Sequence, residues 1–335
     1  MQTEFEIVLD VECDTFWTSW DELIKNTQYQ HPMYNKYGIF YYKRYFNKHE
    51  FQKDVSIVLK MSGTPVAGII ASISKVDEEI ILSGFGREIN YSENVKASQS
   101  VLKKARNYLQ NYLDEIISKN LINKVIYRDY FLIDGSISSF AKILLDKGAF
   151  ATTWYLQIIN LTFEITKIKS GMKKSCRHSV NSAAKKYLTK IVDSEEKDAL
   201  GRLSTLHFRA SGRQTRDIST WNSLEDMLIN GKAFLAEAWH HEKCIASALF
   251  TYNSTTCLYS VSAADRDFFH TPVNHALIWE AIKYAKSLGC KNFEFGGLYY
   301  STRAQKMTEK QKNINRFKKN FGGITKHQLE LTLVL

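Results

Sequence analysis

Proline is scarce in this chain, three in 335 residues, and glycine contributes only 16. That excludes Pro- or Gly-rich linkers and low-complexity tracts, and a 44% hydrophobic, 13% aromatic chain has the material to fold throughout. The five cysteines (Cys13, Cys176, Cys244, Cys257, Cys290) are odd in number and scattered, with no Cys-x-x-Cys pair. A disulfide framework, a zinc knuckle and a redox dithiol are thereby set aside, and most of these thiols are expected to be small buried hydrophobes in a reducing cytoplasm. No apolar run approaches the roughly 18 residues that span a bilayer, and the opening residues carry acids without a basic stretch. The expectation is a soluble, cytoplasmic protein with no export signal and no transmembrane segment. A Walker loop, a dinucleotide fingerprint, a His-Glu-x-x-His pair and a nucleophile elbow are also missing, and no metal is expected. His240 and His241 sit in a hairpin turn with no third ligand evident.

Acid is missing from one long stretch. Between Ile165 and Lys190 stand eight Lys or Arg residues and no Asp or Glu; between Ser301 and Lys326 stand eight more, Arg303 among them, against Glu309 alone. Against the whole-chain net charge of +10, the remainder is mildly acidic. The anionic partner implied by the total is therefore expected at the second half of the chain.

A length of 335 residues points to two domains. The first half reads as a strand from Glu4 to Leu9, helices at Thr15–Ile24 and Met33–Phe46, and strands at Val55–Lys60, Val66–Ser74 and Glu79–Ser83. A long helix, Val95–Ser118, follows with Val101, Ala105, Tyr108, Tyr112 and Ile116 on one face; then come a strand, a helix stopped by Gly148, and a strand. The second half repeats the plan: a basic helix over Ser170–Lys186, a strand, helices over Glu195–Ala210 and Thr220–Ile229, three antiparallel strands, a helix stopped by Gly289, a strand, a basic helix stopped by Gly322-Gly323, and a last strand over Ile324–Val334. The fold class expected is α+β: two tandem domains, 1–161 and 162–335, each a mixed, mostly antiparallel sheet flanked by helices, meeting at a cleft.

Chemistry concentrates near the end. Gly296-Gly297 follows a strand, where glycine permits a sharp turn or a close approach to a ligand. On the helix beyond it, Ile314, Phe317 and Phe321 form an apolar stripe; Lys318 falls beside the stripe while Lys312, Arg316 and Lys319 face away. Lys318 is thus the cation best placed for partial burial, either as a snorkelling stem or as the neutraliser of a phosphate or an oxyanion. Glu294, at the strand end, is the candidate general base, or else a surface carboxylate paired with lysines. Tyr259 could donate to an oxyanion or serve as a core aromatic, and His275 at a helix start could bind substrate or merely cap. Glu237, between two alanines, would be costly to bury unpaired. On the basic helix Met172, Cys176, Val180, Ala183 and Tyr187 make the packing face, and Arg177 is the pick for an anion contact. Lys43, among the aromatics of Tyr41–Phe46, could stack with and neutralise a nucleotide or glycan, or belong to a helix that packs its rings.

Glu294-Phe-Gly-Gly297, a basic excursion, then Phe317-Lys-Lys-Asn-Phe-Gly-Gly323, preceded by the helix that begins His275-Ala-Leu-Ile-Trp-Glu, resembles the C-terminal signature of the FemAB-like branch of the GNAT acyltransferase superfamily, which includes peptidoglycan-bridge aminoacyltransferases. Relatives commonly have Asp where this chain has Glu294. Arg177 to Lys186 is similar to the basic helix opening the family's second domain, and Arg213 and Arg216 lie where relatives often place a glycine and arginine in the substrate pocket. The resemblance implies two tandem GNAT-like domains and an N-acyltransferase whose co-substrate is acetyl-CoA or aminoacyl-tRNA and whose acceptor is an amine of a cell-envelope precursor or nucleotide-linked sugar. Catalytic roles then fall to Glu294, Lys318 and Tyr259, and substrate contacts to Arg177, Arg213, Arg216, His275, Gly296, Gly297, Arg316 and Lys43. The glycine-rich CoA loop of simple GNAT enzymes is absent after both meanders. Expected partners are an anionic small-molecule or nucleotide-linked substrate, tRNA, and peripheral contact with a membrane. The competing expectation is a non-catalytic RNA- or anionic-membrane-binding protein that works through its two basic segments.

Overall fold

The computed structural model describes residues 5–27, 29–130, 136–193, 196, 198–302 and 305–335. Glu4, Glu195 and Arg303, each named above, lie outside the described residues. The chain forms two compact units, Met1–Thr153 with Gln328–Leu335, and Trp154–His327.

The first unit begins with β1 (Glu6–Leu9), α1 (Asp14–Lys25), α2 (Lys36–Tyr45), β2 (Glu50–Asp54), β3 (Ile57–Met61), β4 (Thr64–Ile70), β5 (Ser72–Val76), β6 (Glu79–Ser83) and β7 (Asn90–Glu93), and continues through α3 (Gln99–Lys119), β8 (Lys124–Asp129) and α4 (Ser139–Asp146). The single strand expected over Val66–Ser74 is two strands. Ser56 Oγ bonds both the N–H and the carbonyl of Ala71, and this kink sends β4 to the antiparallel order β1-β3-β4-β7 and β5 to pair with β2 and β6. The buried face of α3 is Leu102, Ala105, Leu109, Leu113 and Ile116. The expected face is therefore turned by about one residue: leucines outrank tyrosines for full burial, and Tyr112 sits at the margin, where its hydroxyl reaches Val55 O at 3.2 Å.

Then come β9 (Phe150–Asn160), α5 (Ile165–Ser170), α6 (Lys174–Lys186), β10 (Leu188–Val192), α7 (Ala199–Ser211), α8 (Ile218–Ile229), β11 (Ala233–His240), β12 (Lys243–Tyr252), β13 (Thr256–Ala264), α9 (Val273–Ser287), β14 (Asn292–Leu298), α10 (Glu309–Asn320) and β15 (Ile324–Val334). In the second unit the strand order is β10-β11-β12-β13-β14-β9, antiparallel except for β13 against β14. In the first unit Leu329–Val334 of β15 pairs antiparallel with β8, and β8 runs parallel to β6. The basic helix expected over Ser170–Lys186 is broken into α5 and α6 at residues 171–173, but its packing face is as expected: Met172, Cys176, Val180, Ala183 and Tyr187 are all buried. Fifteen strands and ten α-helices among the described residues make an α+β protein with mostly antiparallel sheets.

The end of α10 is fixed by close backbone contact. Lys173 N donates to Asn320 O at 2.9 Å, and Gln157 Nε2 donates to Gly322 O at 2.6 Å. Gly322 (φ +82) and Gly323 (φ +78) are left-handed, and a β-carbon on them would stand 2.5 Å from Gly171 O and 2.2 Å from Ile158 O. Gly148, which stops α4 at φ +90, has open space around it. Gly148→Ala should therefore cost about 1 kcal/mol, the left-handed penalty alone, whereas Gly323→Ala adds steric overlap with backbone and should cost at least about twice as much. Urea unfolding midpoints check this; equal shifts would remove the packing role assigned to Gly323.

Candidate active site

β13 and β14 run parallel for three residue pairs, Thr256–Leu258 against Asn292–Glu294. β13 then continues to Ala264 without a further described pair on β14, so a split opens between the strands at Glu294. On its other edge β14 meets β9, and there Phe295 and Gly296 stand opposite Gln157 alone, between the pairs Glu294–Ile158 and Gly297–Leu156. Two residues against one make a β-bulge, which bends its strand and re-aims the groups that follow. Gly296 takes φ +72 there. Gly297 is needed for room: a β-carbon would lie 2.3 Å from the Trp154 ring.

α10 starts with a capping box, Thr308 and Gln311. With its far end anchored at Gly322-Gly323, Lys318 Nζ reaches Gly297 O, turned toward it by the bulge, at 2.6 Å. The ammonium is half-buried; burial lowers it from its ordinary 10.5 to about 8, and the Glu294 carboxylate pulls it back up only in part. Glu294 is 2% exposed, so the surface-carboxylate reading is replaced by a buried one. Rings close the neighbourhood. Tyr259 meets Phe295 edge-on at 6.4 Å, its hydroxyl bonds Ser262, and burial raises its phenol. His275 stacks on Phe321 at 5.5 Å and meets Phe317 edge-on at 5.2 Å; burial lowers its imidazole, and its buried Nδ1 has no hydrogen-bond partner among the described residues. Glu294, Gly296, Gly297 and Lys318 thus form one cluster, with Tyr259 and His275 joined to it through Phe295, Phe317 and Phe321.

The other expected contacts stand apart. Arg213 and Arg216 line a cavity of about 240 Å³ with His207 and Trp221, the Arg216 guanidinium lying over the Trp221 ring at 5.8 Å. Arg316 is exposed on α10. Arg177 differs from expectation: its Nη1 donates to the carbonyls of Ser170, at 2.9 Å, and Met172. It caps the break between α5 and α6, whose terminal carbonyls have no helical partner. Lys43 is likewise occupied. It pairs with Glu12 and stands over the Phe85 ring at 5.2 Å, while Tyr41 and Tyr42 are buried, so α2 is the helix that packs its rings. Glu237 is fully buried and held by Arg202 at 2.9 and 3.0 Å and by Trp239 Nε1 at 3.1 Å, which makes it a paired structural carboxylate.

Sequence reading missed Asn315 and Gln157. Asn315, the buried residue of α10, accepts from Tyr299 N at 3.0 Å and donates to Tyr299 O at 2.5 Å. It does for the outgoing chain what a neighbouring strand would do, two residues beyond the carbonyl that Lys318 holds. Helical spacing to Lys318 was the only available signal, and an Asn within a Lys-rich helix otherwise reads as solvated. Gln157 stands opposite the bulge and grips Gly322, a pairing visible only once β9 and β14 are in register. Among the described residues no group of three His, Cys, Asp or Glu could hold a metal ion, and no helix is long and apolar enough to cross a membrane.

The FemAB family model matches residues 162–329, half of the chain. Among solved structures the chain is similar to FemX (TM-score 0.71, 16% identity, 98% of this chain and 97% of that one) and to L-PGS from Bacillus licheniformis (0.61, 13%, 97% and 93%). It is also similar to a tandem GNAT protein from the clavulanic acid biosynthesis pathway (0.50, 13%, 98% and 98%). No curated protein matches. At these identities the structural likeness is one of fold, a tandem GNAT-like one, while the family match runs through the β14 bulge, Asn315 and Lys318. The chain belongs to the FemAB family, acyltransferases of the GNAT fold.

Proposed function

We propose that the second unit transfers an acetyl or aminoacyl group from acetyl-CoA or an aminoacyl-tRNA to an amine of an anionic cell-envelope precursor or nucleotide-linked sugar. The observation that carries this reading is the half-buried Lys318 ammonium, 2.6 Å from a carbonyl at a strand bulge and beside the buried Glu294. When the amine attacks the acyl carbon, negative charge develops on the carbonyl oxygen. A fixed ammonium in a site of low water content stabilises that charge far better than bulk water would, because its dipoles need no reorganisation. The substrate oxygen takes the place that Gly297 O holds at Lys318 Nζ. Glu294 accepts the proton lost by the amine as the C–N bond forms, and the C–S or C–O bond to the leaving group breaks. Tyr259 and His275 pack behind these groups, against Phe295, Phe317 and Phe321. Arg213 and Arg216, at their own cavity, suit the acceptor's anionic group, and the exposed Arg316 suits a donor phosphate.

Lys318→Ala should lower acyl-transfer kcat/KM by about 100-fold or more, the size of loss of one oxyanion-stabilising group. Lys312→Ala, an exposed lysine paired with Glu309 at 2.6 Å, should stay within about threefold. Equal, mild effects would remove the oxyanion-stabilising role assigned to Lys318. Donor and acceptor are identified by thermal stabilisation, the donor across acyl-CoAs and charged tRNAs and the acceptor across UDP-linked precursors, since a ligand of the native state raises its melting temperature.

The lysine also sets two pH dependences. Its folded value, about 8, lies below the 10.5 of the unfolded chain, so between these values the unfolded state binds the extra proton. Stability should therefore rise as pH increases from 8 toward 10.5, and this increment should vanish in Lys318→Met. Activity should move oppositely, because the ammonium is the working form: kcat/KM should fall with a limb near pH 8. Lys318→Arg, which stays charged, should shift that limb upward or abolish it. A limb unmoved by that substitution would assign the titration to another group.

A further inference from the structure

The first unit holds a cavity of about 460 Å³, within the roughly 300–1,000 Å³ of small-molecule sites. It lies where β7 and β8 part: β7 pairs with β4, and the approach of its chain to β8 is one isolated bridge, Ile89–Tyr127. Strand, helix, strand, helix (β7, α3, β8, α4) repeats the order β13, α9, β14, α10 of the second unit, where the split carries Lys318. The fold therefore provides two equivalent openings, and the first is lined by different chemistry.

Among the described lining residues two acids, Glu93 and Asp129, face two bases, Arg106 and Lys142, and their charges balance despite a chain of +10. Both carboxyl groups are fixed. Glu93 takes a bidentate pair from Arg106, at 2.7 and 2.8 Å, and hydrogen bonds from Ser139, at 2.6 Å, and Tyr91. Asp129 accepts from Tyr127 OH and from Ser138 N, each at 2.9 Å. Tyr29 and Tyr130, half-buried, stack at 5.0 Å and 22° and add a flat aromatic wall. A polyphosphate would meet two carboxylates here, and an acyl chain would strand buried charged groups without water. A ligand that exchanges hydroxyl hydrogen bonds with fixed carboxylates, a guanidinium and serine hydroxyls, and lays a C–H face on tyrosine rings, satisfies every part of the lining.

We propose that this cavity is a binding site for a neutral saccharide of one or two rings. It lies in the unit that does not carry Lys318, and it stands or falls independently of the acyl-transfer reading.

The test is saturation-transfer NMR and thermal shift on the full chain with N,N′-diacetylchitobiose, cellobiose and maltose at millimolar concentration, and with UMP and glycylglycine as anionic and zwitterionic probes. At least one disaccharide should bind. Tyr130→Ala, which leaves the Glu93–Arg106 pair in place, and Glu93→Gln should each weaken it tenfold or more. Should Glu93→Gln fail to fold, Tyr130→Ala decides, and Lys103→Ala, exposed on α3 and outside the lining, serves as the folded control with affinity within about threefold. Absence of saccharide binding, binding that neither substitution weakens, or binding of UMP or glycylglycine alone that Tyr130→Ala abolishes would each overturn the assignment.

Discussion

One extra residue in β14 is the constraint on which the second unit's chemistry depends. Without the bulge at Phe295 and Gly296, β14 would continue its pairing with β9 in register, and the Gly297 carbonyl would be committed to the sheet ladder. With it, that carbonyl faces α10, and Lys318 finds an acceptor while half-buried. The ammonium would otherwise lose hydration with nothing in return, a cost of several kcal/mol for a buried charge. Its nearness to Glu294 offsets part of the loss. A lysine poised near 8 is the outcome of those opposing effects, desolvation leading and the carboxylate answering.

A lysine side chain has four rotatable bonds, so its placement depends on the helix that bears it. α10 is held at three points of different kind: the capping box at Thr308, the Asn315 clamp on Tyr299, and the glycine pair that lets Gly322 and Gly323 lie on the backbone of Gly171 and Ile158. The residues that grip it, Gln157 and Lys173, belong to β9 and to the start of α6, well over a hundred positions earlier in the chain. The ordering entropy of the site is thus met during folding and not at the moment of reaction, which is what preorganisation means in energetic terms.

That separation in sequence explains what could be read in advance. Lys318 was legible because its signal is local: it lies beside the Phe317–Phe321 stripe and before a glycine stop. The packing face of α6 and the bounds of β6 and β15 were legible for the same reason, each being set by periodicity and turn residues within the segment. What failed has a distant partner. Val66–Ser74 reads as one β-branched run, and Ser56, in the link between β2 and β3, bonds it at Ala71 where it divides. Lys43 reads as a nucleotide or glycan contact or as part of a helix that packs its rings, and only Glu12 and Phe85, from elsewhere in the chain, show where its charge goes. Asn315 carries only the weak signal of its helical spacing to Lys318, since burial of a helix amide is decided by the loop it clamps.

Charge counting by segment needs the same correction. Several cations of the first basic segment are used locally: Lys167 lies over Phe163 at 4.0 Å, Lys169 over Trp279 at 5.5 Å, Lys190 over Trp239 at 4.9 Å, and Arg177 caps a helix. On α10, Lys312 pairs with Glu309 and Lys319 donates to Tyr300 OH at 2.7 Å. Fewer cations are therefore open to a ligand than the sequence total suggests. The exposed cations outside these contacts, Lys173, Lys174, Lys185 and Lys186 on one segment and Lys306, Lys310 and Arg316 on the other, all belong to the unit that carries Lys318. The cavity of the first unit is charge-balanced instead. In the proposed reaction a polyanionic donor is steered by the summed field and not by any one contact, which favours the second unit. The proposed saccharide brings hydroxyl groups instead of charge, so that field does not draw it away from the first unit's cavity.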